Sequence, residues 1–257
     1  MASTTDRLGT HDPTRRSALV AGVLYLLTFV GSIVAGLALG PAQNDPSHTL
    51  ATIADGQVRI AAVFELLNAI TCFGTAVAVF SIIKREHEGL AIGFVATRLF
   101  EAATIVVGII ALLSIVTLRQ NGASLAAVEP AFVAIRFWSV VIGPGMAAFN
   151  ALMFGTALYR ARLVPRAIPA LGIAGAPLLI SFVVGTMLGV TSPGTPAQVI
   201  ATAPFFFWEL MVGLWMTFKG FDRSAPIVAA AITAAGQPAS APSSASQVVV
   251  ATKAGAA

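Results

Sequence analysis

Four ionisable side chains interrupt long apolar stretches of this 257-residue chain, and they are the residues best placed to do chemistry: Glu65, Arg98, Glu101 and Glu209. A charged side chain in the middle of a membrane span costs about 2.5 to 3.5 kcal/mol on insertion scales, so it requires a partner, a water-filled cavity or a neutralising proton. Three carboxyl groups face one guanidinium here, and arginine does not release its proton in proteins. We therefore expect at least one of the three carboxyl groups to be protonated at pH 7.

Three interpretations of these charges stay open. In the first, one glutamate binds and releases a proton near neutral pH, and the group forms a binding site for a proton or a small solute. In the second, Arg98 neutralises Glu101, and the network only sets the register of the helices. The third is a membrane-embedded enzyme with Glu65 or Glu209 as general base, but no nucleophile or electrophile accompanies it, so no catalytic residue is assigned.

Helical spacing predicts that the four charges face a common polar seam. Asn68 follows Glu65 at the spacing that places both side chains on one side of a helix. Arg98 and Glu101 are three residues apart and can pair within their own helix. The candidate intramembrane site is therefore Glu65, Asn68, Arg98, Glu101 and Glu209.

Three further residues are secondary candidates for the same site. Tyr25 is a polar residue on the first apolar stretch, and Asn150 is a single polar residue that can hydrogen-bond across helices. Pro204 removes a backbone donor and frees the carbonyl of Ile200, so we expect a kink or break in the helix before Glu209.

Several other chemistries lack their parts in this sequence. All three histidines, His11, His48 and His87, lie outside the apolar stretches, so a metal cluster or a serine-histidine pair within the membrane is not expected. The chain has a single cysteine, Cys72, which rules out an intramolecular disulfide. No glycine-rich phosphate loop is present. We expect no metal and no cofactor.

The composition identifies the elements that must position these residues. Hydrophobic residues make up 57% of the chain and charged residues only 10%, with a mean hydropathy of +0.87, whereas soluble domains carry about 25% charged residues. A span needs about 20 apolar residues. The sequence predicts an all-α, six-helix membrane bundle with spans at about 17–39, 58–83, 89–118, 135–159, 164–190 and 196–218.

The distribution of basic residues predicts the orientation of the spans. Basic residues concentrate before the first span, after the second, between the fourth and fifth, and after the sixth, which are segments on one side of the membrane. The opposite side holds only Arg59, Arg119 and Arg136. We expect both termini to be cytoplasmic, with a short segment at 1–16 and a disordered, Ala-, Ser- and Pro-rich tail at 222–257. Because the basic residues form short clusters between spans, nucleic acid is not an expected partner.

Several short segments resemble the bacterial membrane family known as domain of unknown function 4386. They are Gly22 to Thr28, Arg98-Leu99-Phe100-Glu101, Leu163-Val164-Pro165-Arg166, and Pro204 through Glu209 to Trp215, Lys219 and Gly220. The resemblance covers about residues 15–221. It implies a six-helix protein of the bacterial cytoplasmic membrane without an assigned activity, and it implies that Arg98, Glu101, Arg166, Glu209 and Lys219 belong to the family pattern.

The leading hypothesis is an integral membrane protein that binds or moves a small solute or a proton through the polar seam. The main alternative is a non-catalytic scaffold or partner subunit in which the same charges form a structural network. The lipid bilayer is the expected surrounding in both cases. Neither the solute nor the oligomeric state follows from the sequence.

Overall fold

A computed structural model describes residues 12–40, 53–122 and 127–236 of the chain. The predicted segment 1–16 is therefore described only from residue 12, and His11 and His48 lie outside the described residues.

Within these described ranges, six helices are long and apolar enough to cross a membrane, which confirms the predicted fold class. They are α1 (Arg15–Leu39), α2 (Asp55–Ile83), α3 (Glu88–Gln120), α4 (Glu129–Ala161), α5 (Ala167–Met187) and α6 (Pro196–Phe218). The largest difference from the predicted bounds is at α4, which begins at Glu129 rather than near residue 135. Arg136, just inside the predicted bounds, is buried, and the helix extends past it to Glu129.

The six helices form a closed ring in chain order. Each helix packs against the next along the chain, and α6 returns to pack against α1. At one end of the ring, Arg15 donates hydrogen bonds to the backbone oxygens of Met216 and Thr217, which joins the start of α1 to the end of α6. We call this the basic end, defined by Arg15, Lys84, Arg160 and Lys219, and we call the opposite end, defined by Asp55, Arg119 and Glu129, the distal end.

Buried apolar side chains fill the half of the ring nearest the basic end. The largest cluster takes members from all six helices, including Phe94, Phe154, Leu158, Trp208 and Met216. A smaller cluster lies toward the distal end, and its buried members come from α1, α2 and α3. The packing of the described residues is therefore denser at the basic end than among the distal halves of α4, α5 and α6.

Helix α4 is interrupted near its centre. Pro144 has no amide hydrogen, so the carbonyl of Val140 lacks its usual helical donor. The amide of Met146 bonds to two carbonyls, and a π-helical turn follows at Ala151–Gly155. Such turns within α-helices frequently occur at functional sites.

Helix α6, by contrast, runs without a break from Pro196 to Phe218, so the expected break at Pro204 does not occur. Pro204 lies against Gly175 of α5, where a Cβ atom added to the glycine would be 2.9 Å from the proline Cβ. The glycine gives the proline ring room beside α5.

A seventh helix, α7 (Pro226–Gly236), lies inside the segment that we expected to be disordered. Its Val228 and Ala231 are buried, and Val228 joins the large apolar cluster. Alanine has the highest helix propensity, and here one face of an alanine-rich segment also finds an apolar surface. The expectation of disorder therefore does not hold for residues 226–236, while residues 237–257 lie outside the described part of the chain.

The turn before α7 is stabilised by Asp222, which lies outside the spans. One carboxylate oxygen of Asp222 accepts hydrogen bonds from the hydroxyl of Ser224 at 2.7 Å and from its amide at 2.9 Å. These bonds favour the ionised carboxylate and hold the pKa of Asp222 below its ordinary value.

Candidate binding site

Arg98 is the centre of a buried charged cluster that joins α3 to α6. Its Nη1 donates to Oε2 of Glu101 at 3.0 Å, and its Nη2 donates to Oε1 of Glu209 at 2.5 Å. The exposed fractions are 1% for Arg98, 7% for Glu101 and 9% for Glu209. The predicted pairing of Arg98 with Glu101 is thus present, and Glu209 adds a second carboxylate to the same guanidinium. We call Arg98, Glu101 and Glu209 the charged cluster.

Neutral side chains complete the surroundings of this cluster. Asn150 of α4 donates from Nδ2 to Glu101 Oε2 at 2.6 Å, a contact across helices of the kind that its polarity in an apolar span predicts. The guanidinium carbon of Arg98 lies 4.8 Å from the ring centre of Tyr25 and 5.6 Å from that of Phe94. Both distances suit a cation–π interaction. Tyr25 therefore contacts the cluster through its ring, and its buried hydroxyl has no hydrogen-bond partner among the described residues.

A row of polar side chains connects the cluster to the exposed surface of α1. Arg98 Nη1 lies 3.7 Å from the sulfur of Cys72, and the Cys72 thiol donates to Asn68 Oδ1 at 3.5 Å. Asn68 in turn donates from Nδ2 to the hydroxyl of Ser32 at 3.0 Å. Ser32 is exposed, so hydrogen-bonding groups run from the surface of α1 to Arg98.

A cavity of about 660 Å³ reaches the charged cluster from the distal half of the ring. All six long helices contribute to its wall, and the three cluster residues, Asn68 and Cys72 all line it. Toward the distal end the wall includes Pro193, Gln198 and Val199, at the connection between α5 and α6. Its size falls in the range of about 300 to 1,000 Å³ that is typical of small-molecule sites.

Most of the cavity wall is apolar, and six phenylalanines form part of it: Phe29, Phe137, Phe182, Phe205, Phe206 and Phe207. Pro144, at the interruption of α4, also lines the cavity. The cavity thus combines one charged end with a long aromatic and aliphatic surface.

Glu65 is the predicted site residue that the structure does not bring to the cluster. It pairs with Arg136 of α4, which donates to both carboxylate oxygens; the Nη1 to Oε2 distance is 2.8 Å. Both side chains are buried, with exposed fractions of 5% and 3%, and neither lines the cavity. The prediction that Glu65 shares one seam with Glu101 and Glu209 is therefore wrong.

Arg136 also changes the charge balance that the sequence indicated. The sequence analysis counts Arg136 with the basic residues of the opposite membrane side, which leaves three buried carboxyl groups facing one guanidinium. The structure instead has two guanidinium groups for three carboxyl groups, divided into a one-to-one pair and the charged cluster with two carboxyl groups to one. The excess carboxyl group remains, and it belongs to the cluster.

The structure shows what allows Arg136 to be buried, and no pattern within one helix indicates it. Ser139 follows Arg136 by three residues, and Gly108 lies at the corresponding level of α3. A Cβ atom on Gly108 would be 2.5 Å from the Ser139 hydroxyl and 2.7 Å from Arg136 Nη1. Gly108 therefore makes room for the arginine beside α3, a relation between helices that spacing within one helix does not reveal.

Two further sequence predictions concern Pro204 and metal ligands. Pro204 does not line the cavity, although its neighbours Ala203 and Phe205 do. In the described part of the chain, no three histidine, cysteine, aspartate or glutamate side chains come together as a metal site would require.

Comparisons with known proteins agree with the resemblance seen in the sequence. Neither the curated proteins nor the solved structures gave a match to the chain. A sequence model of one family matches residues 20–220, which include all of the described charged cluster and most of the six long helices. The chain therefore belongs to the family described as Domain of unknown function (DUF4386).

Proposed function

We propose that this protein binds a small solute inside the helix bundle, with the charged cluster as the polar end of the site. The observation that supports this most directly is the cavity, which all six long helices line and which reaches Arg98, Glu101 and Glu209. A network that served only to hold helices together would be enclosed by packed side chains. The Glu65–Arg136 pair does not line the cavity, whereas the charged cluster, although its side chains are also buried, forms part of the cavity wall.

The uneven packing of the ring supports exchange of the solute with the distal side. The cavity extends toward the distal end, while the large apolar cluster fills the basic half below Arg98. Transporters that alternate between two states hold the site open to one side at a time, often beside an interrupted helix. Helix α4, interrupted at Pro144 on the cavity wall, fits that description. We further propose that the protein lies in the bacterial cytoplasmic membrane with both termini in the cytoplasm.

Access of water to the cavity can be measured by cysteine labelling, because the chain has only one native cysteine. In a Cys72→Ala background, a single cysteine is placed at Thr202 on the cavity wall or at Ile200 on the same helix. Ile200 is 66% exposed on the outside of α6 and does not line the cavity, so it is the matched control facing lipid. The probe is a charged maleimide that does not cross membranes, applied to vesicles of either orientation.

We expect the cysteine at position 202 to react from the distal side much faster than the cysteine at position 200, because thiols react as thiolates and ionise in water rather than in lipid. Equal, slow reaction at both positions would contradict a water-accessible binding cavity. The alternative, a non-catalytic scaffold or partner subunit, would then be the better account. The observation that supports this alternative is the Glu65–Arg136 pair, a buried ion pair outside the cavity.

A further inference from the structure

The charged cluster has one negative charge too many when both of its carboxyl groups are ionised. Both ion pairs of Glu101 and Glu209 within the described residues are with the same guanidinium, that of Arg98. Asn150, the other side chain bonded to Glu101, is neutral. A carboxylate without a counter-charge is costly in an apolar bundle. The cluster therefore requires one more positive charge, and either a proton or a bound cation can supply it.

The groups facing the cluster do not supply that charge. Tyr25 of α1 presents its ring to Arg98, Cys72 of α2 presents a thiol, and Asn150 of α4 presents an amide. The part of α5 that lines the cavity consists of Leu179, Phe182 and Val183, which do not titrate. Arg98 is the one basic residue in the described wall of the cavity.

The geometry of Arg98 also disfavours an anionic solute. Its two terminal nitrogens are already bonded to carboxylates at 3.0 and 2.5 Å. An anion that approached this end would meet the carboxyl oxygens of Glu101 and Glu209, which already occupy both terminal nitrogens of Arg98.

The rest of the wall suits an apolar cation. The faces of aromatic rings attract cations, and the attraction is stronger where water is excluded. Six phenylalanines line the cavity, and Phe29 and Phe206 pack edge to face at 5.1 Å across α1 and α6. The combination of an aromatic wall and an excess carboxylate selects a positive charge attached to a hydrophobic body.

We infer that the cavity binds hydrophobic organic monocations and that the cation exchanges for one proton held by the Glu101–Glu209 pair. This inference rests on the proposed solute-binding function. When the cation binds, the proton leaves to water, so the cluster stays neutral in both states. Cation affinity must then fall as the pH falls, because the proton and the cation compete for the same pair of carboxyl groups.

The test uses two ions of the same shape and opposite charge, tetraphenylphosphonium and tetraphenylborate. Their binding to the purified full-length protein in detergent is measured by titration calorimetry between about pH 5 and 9, a range that covers shifted carboxyl groups. Buffers with different ionisation enthalpies report how many protons are released. We expect tetraphenylphosphonium to bind and tetraphenylborate not to bind. We also expect about one proton to leave per cation, with affinity falling about tenfold per pH unit wherever the pair holds its proton.

Two variants locate the exchange in the cluster. Glu209→Gln keeps an oxygen that accepts a hydrogen bond from Arg98 but removes the exchangeable charge, so it should lower cation affinity at least about tenfold and abolish the pH dependence. The control is the double variant Glu65→Gln/Arg136→Gln, which removes a buried ion pair outside the cavity. It should bind the cation as the unmodified protein does.

In the binding titrations, the inference is overturned by tetraphenylborate binding as tightly as the cation, by cation binding that does not vary with pH, or by Glu209→Gln binding like the unmodified protein. If Glu209→Gln does not fold, the inference is still tested on the unmodified protein, by the comparison of the two ions and by the pH dependence of cation binding. If the cysteine at position 202 reacts from water but no cation binds, the ligand class is wrong and the proposed binding function stands. If that cysteine is unreactive, both fail.

Discussion

The buried pair between Glu65 and Arg136 should contribute to stability only as a pair. Arg136 donates to both carboxylate oxygens of Glu65, and both side chains are almost fully buried. Removing one partner of such a pair leaves an uncompensated buried charge, which costs about 3 to 5 kcal/mol. We therefore expect Glu65→Gln and Arg136→Gln each to lower the free energy of unfolding by about 3 kcal/mol or more.

The double variant Glu65→Gln/Arg136→Gln should be more stable than either single variant. It removes both charges together, so neither side chain is left as an uncompensated buried charge. Independent effects of about 3 kcal/mol each would add to about 6 kcal/mol. A double variant that loses less than about 3 kcal/mol would therefore give an interaction energy of about 3 kcal/mol or more, the upper end for contacting residues.

The assay is reversible unfolding in mixed micelles with increasing SDS, followed by tryptophan fluorescence at pH 7. Trp138 lies two residues from Arg136 and reports on this part of α4. The matched control is Asp55→Asn, which breaks the partly exposed ion pair between Asp55 and Arg119, with side-chain exposures of 27% and 26%. Exposed pairs contribute about 0 to 1 kcal/mol, so this control should have a small effect.

Additive losses in the double variant would refute the argument, because they would mean that the two side chains act on stability independently. Single losses no larger than that of Asp55→Asn would refute it as well. They would show that water reaches Glu65 and Arg136 in the folded protein.

Three further predictions concern packing, topology and pH. Gly172→Ala should lower the free energy of unfolding by about 1 to 3 kcal/mol, because the added Cβ would overlap the Trp208 indole. The control is Gly36→Ala, which should not destabilise the protein because nothing lies within 4 Å of the added Cβ. Unfolding in SDS compares the two variants. A reporter that is active only in the cytoplasm should be active when it is fused to either terminus. A reporter that is active only outside the cytoplasm should be inactive at both termini, and its activity at either one would contradict the proposed orientation. Ser224→Ala should raise the pKa of Asp222, measured by carboxyl NMR. Because the folded-state pKa is the lower one, the contribution of the Ser224–Asp222 hydrogen bonds to stability is present above the unfolded-state pKa and disappears as the pH falls through the folded one. Ser224→Ala removes the hydroxyl bond and keeps the amide bond, so its acid-dependent loss of stability should be smaller.

Much of the fold follows from properties that are local in the sequence. A run of about 20 apolar residues must form a helix in lipid, because every backbone polar group has to be bonded internally. Six such runs predict six spans, and the described residues contain six helices long and apolar enough to cross a membrane. The pairing of Arg98 with Glu101 is local too, since residues three apart are neighbours on any helix. The start of α4 at Glu129 lies before the apolar run, where hydrophobicity does not show how far a helix extends.

The partners of the charges depend on how the helices are rotated and which of them are neighbours. Spacing within α2 places Glu65 on the side of Asn68 but does not say that α4 presents Arg136 to it. The same spacing cannot show that Glu209 of α6 reaches Arg98 of α3 across the ring. Both contacts join residues far apart in the chain, and both form only when the ring closes.

By itself, the sequence determined that this protein is a six-helix membrane bundle with more buried carboxyl groups than guanidinium groups. The hydrophobic length of each span and the permanent charge of arginine suffice for that. Only the tertiary structure decided where the excess carboxyl group lies and that this group lines a cavity. Dense packing at the basic end and sparser packing among α4, α5 and α6 leave a cavity beside Glu101 and Glu209, and a cavity is a property of the space between helices.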